Sequence, residues 1–465
     1  MADVAILHGW SDNSDSFKPL AAFLKANGYN VVPIWLGDYI SMDDDVRISD
    51  VSKKMQSVVG NMWNDKQLNK QFDLIVHSTG GLVARHWLST YYLAHPETVP
   101  VKRLVMLAPA NYGSALASTG KSLLGRVVKG WNNWFSTGTE MLNGLELGSP
   151  FQWALAQQDM FAEPLDNRTL YGPNGVWPFV IVGTHGYETG MRAIVNEDGS
   201  DGTVRVAAAN LNAEGVTLDF CTSNEEPIVT PWRKRAGDMR FPLAVLPNRT
   251  HGSVIDPSTK DIAAETSAEQ KQDGDVILQA LSCPDFAAYQ KMRISWTDDP
   301  DSITEKTARY SVDTRYHQFM QLNVFVVDDT GTPIPDFFME FHAPDEVANT
   351  EATVIFHNEV IKDCHKNQVN AALRTFYIDR TALMTKFYPA INPSDPRELH
   401  LSISASPPGK NIWYFLNTDR GAEGDFKIHD EDTASERWLK RNQTHFVKVI
   451  VPRFGNDKVF VLNRG

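Results

Sequence analysis

Asp73-Leu74-Ile75-Val76-His77-Ser78-Thr79-Gly80-Gly81-Leu82-Val83-Ala84 reads as two elements that meet at a single residue. The apolar run up to His77 predicts a buried strand, and a helical pattern begins immediately after Ser78. A serine on so sharp a strand-to-helix turn holds its hydroxyl above the end of the sheet, and the doubling back of the chain requires small neighbours. Gly80 meets that requirement, while Val76 stands two residues before the serine, where glycine is usual in such a turn. An ordinary N-cap serine also fits S-x-G. In the nucleophile reading, the helix N-terminus brings N–H groups and positive dipole to the place where an oxyanion forms. The Thr79 N–H is then the first donor.

Outward from this turn, short apolar runs at 4–7, 31–35, 72–76, 103–107 and 179–182 read as buried strands. Helical patterns at 17–26, 49–69 and 80–93 lie between them. Such alternation predicts an α/β fold, a mostly parallel sheet with helices on both faces. A polar stretch at 256–275 is followed by one more helical pattern over 276–292. The character then changes. Short strand-like runs at 320–327, 337–341, 375–378, 399–403, 412–415, 446–451 and 459–462 are separated by turn signals at 329–333 and 407–409. Turn-punctuated strands of this kind predict a β-sandwich-like domain. The expected division is a catalytic α/β domain over 1–290 and an all-β accessory domain over 291–465, in keeping with a chain of 465 residues.

Composition limits the function classes. Hydrophobic residues make up 42% and charged residues 22%, which is ordinary for a globular protein. A formal net charge of -13 argues against a nucleic-acid or anionic-membrane partner bound through bulk electrostatics. Three widely spaced cysteines, Cys221, Cys283 and Cys364, form neither a disulfide framework nor a metal-ligand cluster and read as mostly buried thiols. The N-terminal residues show no signal-peptide pattern, and no apolar run approaches the ~20 residues that span a bilayer. A cytoplasmic location is the default expectation.

A serine nucleophile needs an imidazole in reach and a carboxylate to hold its tautomer. The Ser78 turn resembles that of the α/β-hydrolases, which implies the chain order serine, acid, histidine. Asp201, followed by Gly202 and the extended Thr203-Val204-Arg205-Val206, is the expected acid, with Asp198 as the alternative and a polar hairpin loop as the bland reading. His251, in a loop beside Gly252 after the apolar 243–246, is the expected base. His185 precedes the acid and breaks the order. His77 and His86 read as buried structural histidines, and His95 as a helix-end residue. For a second oxyanion donor, His8-Gly9-Trp10 follows the first strand, and the Trp10 N–H is expected there, with Gly9 allowing close approach.

Three segments in order, Val76 to Arg85, Ser200-Asp201-Gly202-Thr203-Val204 and Thr250-His251-Gly252-Ser253-Val254, resemble the lipase and esterase branch of the α/β-hydrolases. The segment Ala108-Pro109-Ala110-Asn111-Tyr112-Gly113-Ser114 is similar to its counterpart in the lecithin-cholesterol acyltransferase and phospholipase group of that branch. The resemblance covers about residues 4–290. It implies Ser78 as nucleophile, Asp201 as acid and His251 as base, a lipid ester as substrate, and an acyl-enzyme route with no metal or organic cofactor.

A cap or lid insertion is expected over about 113–177. Within it, apolar and basic residues alternate at helical spacing from Leu123 to Phe135, as in a helix lying on a membrane surface; packing on the hydrolase core explains the pattern equally well. In the second domain His342, His357 and His365 are scattered, so a lipid surface, a protein partner or support of the catalytic domain all remain open as its role. Asp43-Asp44-Asp45 reads as a solvated loop. Two alternatives stand beside the lipid hydrolase: an acyltransferase or short-chain esterase with the same triad, and a noncatalytic binding protein that retains the fold.

Overall fold

The apolar runs become the strands of one parallel sheet in the computed structural model, which describes residues 3–7, 14–34, 44–117, 138–163, 165–187, 196–257, 267–310, 312–415 and 423–455. The strands of the first part of the chain are β1 (Asp3–Leu7), β2 (Asn30–Ile34), β3 (Phe72–His77), β4 (Val101–Leu107), β5 (Trp177–Gly183), β6 (Ala213–Asp219), β7 (Ile228–Pro231) and β8 (Leu243–Leu246). Six of them form a sheet in the order β2-β1-β3-β4-β5-β8, and every pair is parallel. All residues of β1, β3, β5 and β8 are buried. Strands covered on both faces carry unbroken apolar runs rather than alternation, which is why these were visible in the sequence.

Helices α1 (Lys18–Ala26), α2 (Ile48–Asn64) and α3 (Gly80–Tyr92) fall where helical spacing predicts them. The helical pattern at 276–292 is two helices, Ser267–Ser282 and Phe286–Arg293. Pro284 interrupts them, since it supplies no backbone N–H, and the Asp285 carboxylate restarts the second by accepting from the Ala288 N–H at 2.8 Å.

The chain divides into two compact units, 1–212 with 233–317, and 213–232 with 318–465. Both limits differ from the expected division at 290. The first unit extends further because the segment after the helix Phe286–Arg293 covers the outer edge of β8. Thr297 Oγ1 accepts from the Leu243 N–H at 2.9 Å and donates to the Leu243 carbonyl. Thr304 Oγ1 accepts from the Val245 N–H at 3.1 Å and also donates to the Leu243 carbonyl at 2.8 Å. Thr307 Oγ1 donates to the Val245 carbonyl at 2.7 Å. Three threonine hydroxyls thus occupy ladder positions that an edge strand would otherwise leave open.

The second unit is β-rich and built around β9 (Phe319–Asp328), β10 (Phe337–His342), β11 (Ile361–Lys366), β12 (Leu373–Asp379), β13 (Glu398–Ala405), β14 (Ile412–Tyr414), β15 (Glu423–His429), β16 (Thr444–Val451) and β17 (Arg453–Gly455). Its larger sheet has the order β11-β12-β9-β16-β6-β7, and a second has the order β10-β13-β15. Met320, Leu322 and Val324 of the first sheet and Met339, Leu401 and Ile403 of the second lie in one hydrophobic cluster. Two features depart from an all-β sandwich built only from 291–465. The sheet recruits β6 and β7 from between the strands of the first unit, with β16 parallel to both β6 and β9. Helical segments also intervene, including Thr350–Ile355 and Leu383–Phe387.

Cys283 is buried, but Cys221 and Cys364 are exposed, contrary to the expectation of buried thiols. Among the described residues no group of three or more His, Cys, Asp or Glu is arranged to hold a metal ion. No described helix is long and apolar enough to cross a membrane. Asp44 is a loop anchor: its Oδ1 accepts from both the Thr139 N–H and hydroxyl. The amphipathic pattern at 123–135 lies outside the described residues.

Candidate active site

Ser78 follows the last residue of β3 and takes φ 54°, in the left-handed region that a side chain rarely occupies. Such backbone costs on the order of 1–3 kcal/mol and persists only where its surroundings hold it. Three hydrogen bonds do so here. The Ser78 N–H donates to the Leu107 carbonyl at 3.1 Å, and the Ser78 carbonyl accepts from Gly81 at 3.0 Å and from Ala110 at 3.1 Å. Packing demands a small residue at Gly81, where a Cβ would stand 2.8 Å from Pro109 Cβ. Thr79 occupies the N-cap of α3, buried, beside the serine.

Ser78 Oγ lies 3.0 Å from His251 Nε2, and His251 Nδ1 lies 2.8 Å from Asp201 Oδ2. A carboxylate only accepts, so Nδ1 carries the proton and Nε2 presents its lone pair to the serine hydroxyl. The other Asp201 oxygen accepts from the N–H groups of Thr203 at 3.0 Å and Val204 at 2.8 Å. Asp201 and His251 are buried while Ser78 is half-buried, so the serine is the accessible member.

Two loops bring the acid and base to the serine. The acid loop is held by a two-pronged ion pair between Arg205 and Glu197, both bonds 2.8 Å. The His251 N–H donates to the Asp201 carbonyl at 2.9 Å, which ties the two loops together. The base loop also crosses the end of β5 so closely that a Cβ on Gly183 would lie 1.9 Å from the Arg249 carbonyl oxygen. Glycine is required there by space alone.

Beneath the serine, Arg85 of α3 makes a buried bidentate pair with Asp159 at 2.8 and 2.9 Å and donates to the Asn111 carbonyl at 2.7 Å. Burial opposes the Arg85 charge, but the Asp159 carboxylate outweighs it and holds the guanidinium above its ordinary pKa. Tyr171 donates to the same carboxylate at 3.2 Å. The network fixes the nucleophile helix to the helix Pro150–Asp159 and to the loop after β4.

Of the residues expected from the sequence, Ser78, Asp201 and His251 are brought together, and Thr79 stands next to the serine. Trp10, with His8 and Gly9, lies outside the described residues. Asp198 is not the partner of His251; its charge acts on Arg315. His185 sits beside the acid loop rather than in the site, with Nε2 accepting from Arg315 Nη1 at 3.0 Å. His86 pairs with Ser52 at 2.6 Å, and His95 is exposed. The Arg85–Asp159 pair and the Glu197–Arg205 brace were missed. A lone arginine inside the apolar stretch Leu82 to Leu88 was the available signal for the first.

A doubly covered parallel sheet, a left-handed serine between strand and helix, and an acid and base from later loops define an α/β-hydrolase. The alpha/beta hydrolase family matches residues 4–265, and the chain belongs to it. It is an enzyme of the esterase and lipase class on that fold. In particular it is similar to the phospholipase PlaB from Legionella pneumophila. One PlaB structure, in complex with thio-NAD, is 26% identical with a TM-score of 0.77, covering 100% of this chain and 97% of that one. A second PlaB structure matches at 24% identity with the same TM-score and coverage. No curated protein matches the chain significantly in sequence.

Proposed function

We propose that this enzyme hydrolyses lipid esters, phospholipids foremost, through an acyl-enzyme on Ser78. The observation that carries the reading is the unbroken line from Asp201 through His251 to Ser78, with separations of 2.8 and 3.0 Å. In the first half-reaction Ser78 Oγ attacks the ester carbonyl carbon and its proton passes to His251 Nε2, which returns it to the departing alcohol. In the second, water attacks the acyl carbon, His251 takes its proton, and the proton goes back to Ser78 as the acid leaves. Asp201 keeps the imidazole in the working tautomer. The Thr79 N–H, with that of Trp10 as second donor, would stabilise the oxyanion. Similarity to PlaB along the full chain supports a phospholipid in preference to a small ester, and contact of the 113–177 insertion with a membrane surface belongs to the same proposal.

The test is fatty-acid release from phospholipid vesicles, beside p-nitrophenyl esters from acetate to palmitate, by wild type and Ser78→Ala. The alanine variant is expected to lose at least about 10⁴-fold in kcat, and wild-type rate is expected to rise with acyl length. A flat length profile with no release from vesicles would remove the lipid substrate while leaving the serine hydrolase intact.

A further inference from the structure

His77, the residue before the nucleophile, does more than fill space at the end of β3. Its side chain is buried and its Nε2 lies 2.9 Å from the backbone carbonyl of His251. A carbonyl only accepts, so His77 is the donor. Its ring also packs against the imidazole of His251, with centroids 4.6 Å apart at 43°, and Phe17 meets it edge-on at 5.8 Å.

His251 sits in a loop, three residues after Asn248 in the left-handed region, so its position depends on anchors from elsewhere. Its N–H donates to the Asp201 carbonyl and its Nδ1 to the Asp201 carboxylate. Both of those anchors come from the acid loop. Its carbonyl is held by the strand that carries the nucleophile, one residue from Ser78. The short covalent path from His77 to Ser78 therefore relates the base to the very atom it must deprotonate.

We propose that His77 is a positioning residue, whose hydrogen bond to the His251 carbonyl sets the Ser78–His251 approach. The proposal rests on the triad reading above. A histidine that only satisfies itself in a buried place would affect stability and nothing else.

The experiment compares wild type, His77→Phe, His77→Gln and Ser78→Ala in the full chain. Phe keeps a ring but cannot donate; the Gln amide reaches the place of Nε2 and can. Each protein is treated with a fluorophosphonate; where Ser78 is present, its Oγ bonds to phosphorus, fluoride leaves and the hydroxyl proton passes to His251, while Ser78→Ala is the unlabelled control. The labelled fraction at completion counts competent sites, and the labelling rate reports how well each is aligned. The steady-state kcat and KM for a p-nitrophenyl ester are measured alongside.

His77→Phe is expected to label to completion but about tenfold or more slowly, with kcat reduced to match, KM within about twofold, and Gln recovering most of the rate. Should His77→Phe not fold, His77→Asn, whose amide is too short to reach the carbonyl, takes its place with the same expectation. Full labelling at wild-type rate, a deficit confined to the labelled fraction, or a Gln variant as slow as Phe overturns the proposal. Activity retained by Ser78→Ala would instead overturn the triad reading, and this proposal with it. An inactive Ser78→Ala beside a wild-type His77→Phe isolates the failure to His77.

Discussion

At the scale of single residues, the site separates two carboxylates only three positions apart in sequence. Asp201 spends one oxygen on the N–H groups of Thr203 and Val204 and the other on His251. Asp198 faces the charge of Arg315 instead. Replacing Asp201 by Asn puts an amide where a pure acceptor is needed and invites the wrong imidazole tautomer. Asp201→Asn is therefore expected to lower kcat by about 10⁴-fold, and Asp198→Asn by less than about threefold. Initial rates on one p-nitrophenyl ester decide between them. The opposite ranking would transfer the acid's role to Asp198.

At the scale of elements, β8 matters because the base loop departs from its end. Its outer edge is closed by side chains rather than by another strand, with Thr304 the centre of the three threonines that bridge it. Thr304 is buried, so no water replaces a bond that is removed. Thr304→Val keeps the shape but strands the Val245 N–H and weakens the hold on the Leu243 carbonyl, at a cost of about 1–3 kcal/mol. On the first unit that amounts to a fall in Tm of roughly 2–5 °C. A thermal scan showing no change would mean that the hydroxyls are incidental to the edge.

At the scale of the molecule, the chain leaves the first unit after Asn212 and returns at Arg233. The intervening hairpin, β6 and β7, belongs to the other sheet, where β6 pairs with β16 over Thr444↔Ala213 to Ile450↔Asp219. Val216, Leu218 and Phe220 contribute to that unit's core. A chain cut after His317 keeps the hairpin but loses β16, leaving an unpaired strand edge and three uncovered apolar side chains. The 1–317 fragment is expected to aggregate, and replacing 213–232 by a short Gly/Ser linker is expected to restore soluble protein. Soluble yield and circular dichroism of both fragments are the measure. A 1–317 fragment as soluble as the full chain would show that the hairpin does not bind the two units into one folding problem.

The sequence by itself determined the parallel sheet, the serine turn, and the order of acid and base. Each of these has a local signature: strands buried on both faces read as unbroken apolar runs, the elbow needs Ser78 beside small residues, and the loops bearing Asp201 and His251 are marked by Gly202 and Gly252. Only the tertiary structure decided that β6 joins the second unit's sheet, since its partner β16 lies more than 200 residues further along the chain. It also decided that the first unit runs to His317, that Gly81 packs against Pro109, and that Arg85 finds Asp159. The same holds for His77, whose residue type and buried setting were legible but whose partner was not. Hydrogen bonds between loops depend on where the backbone of distant segments comes to lie, and no spacing along the chain encodes that.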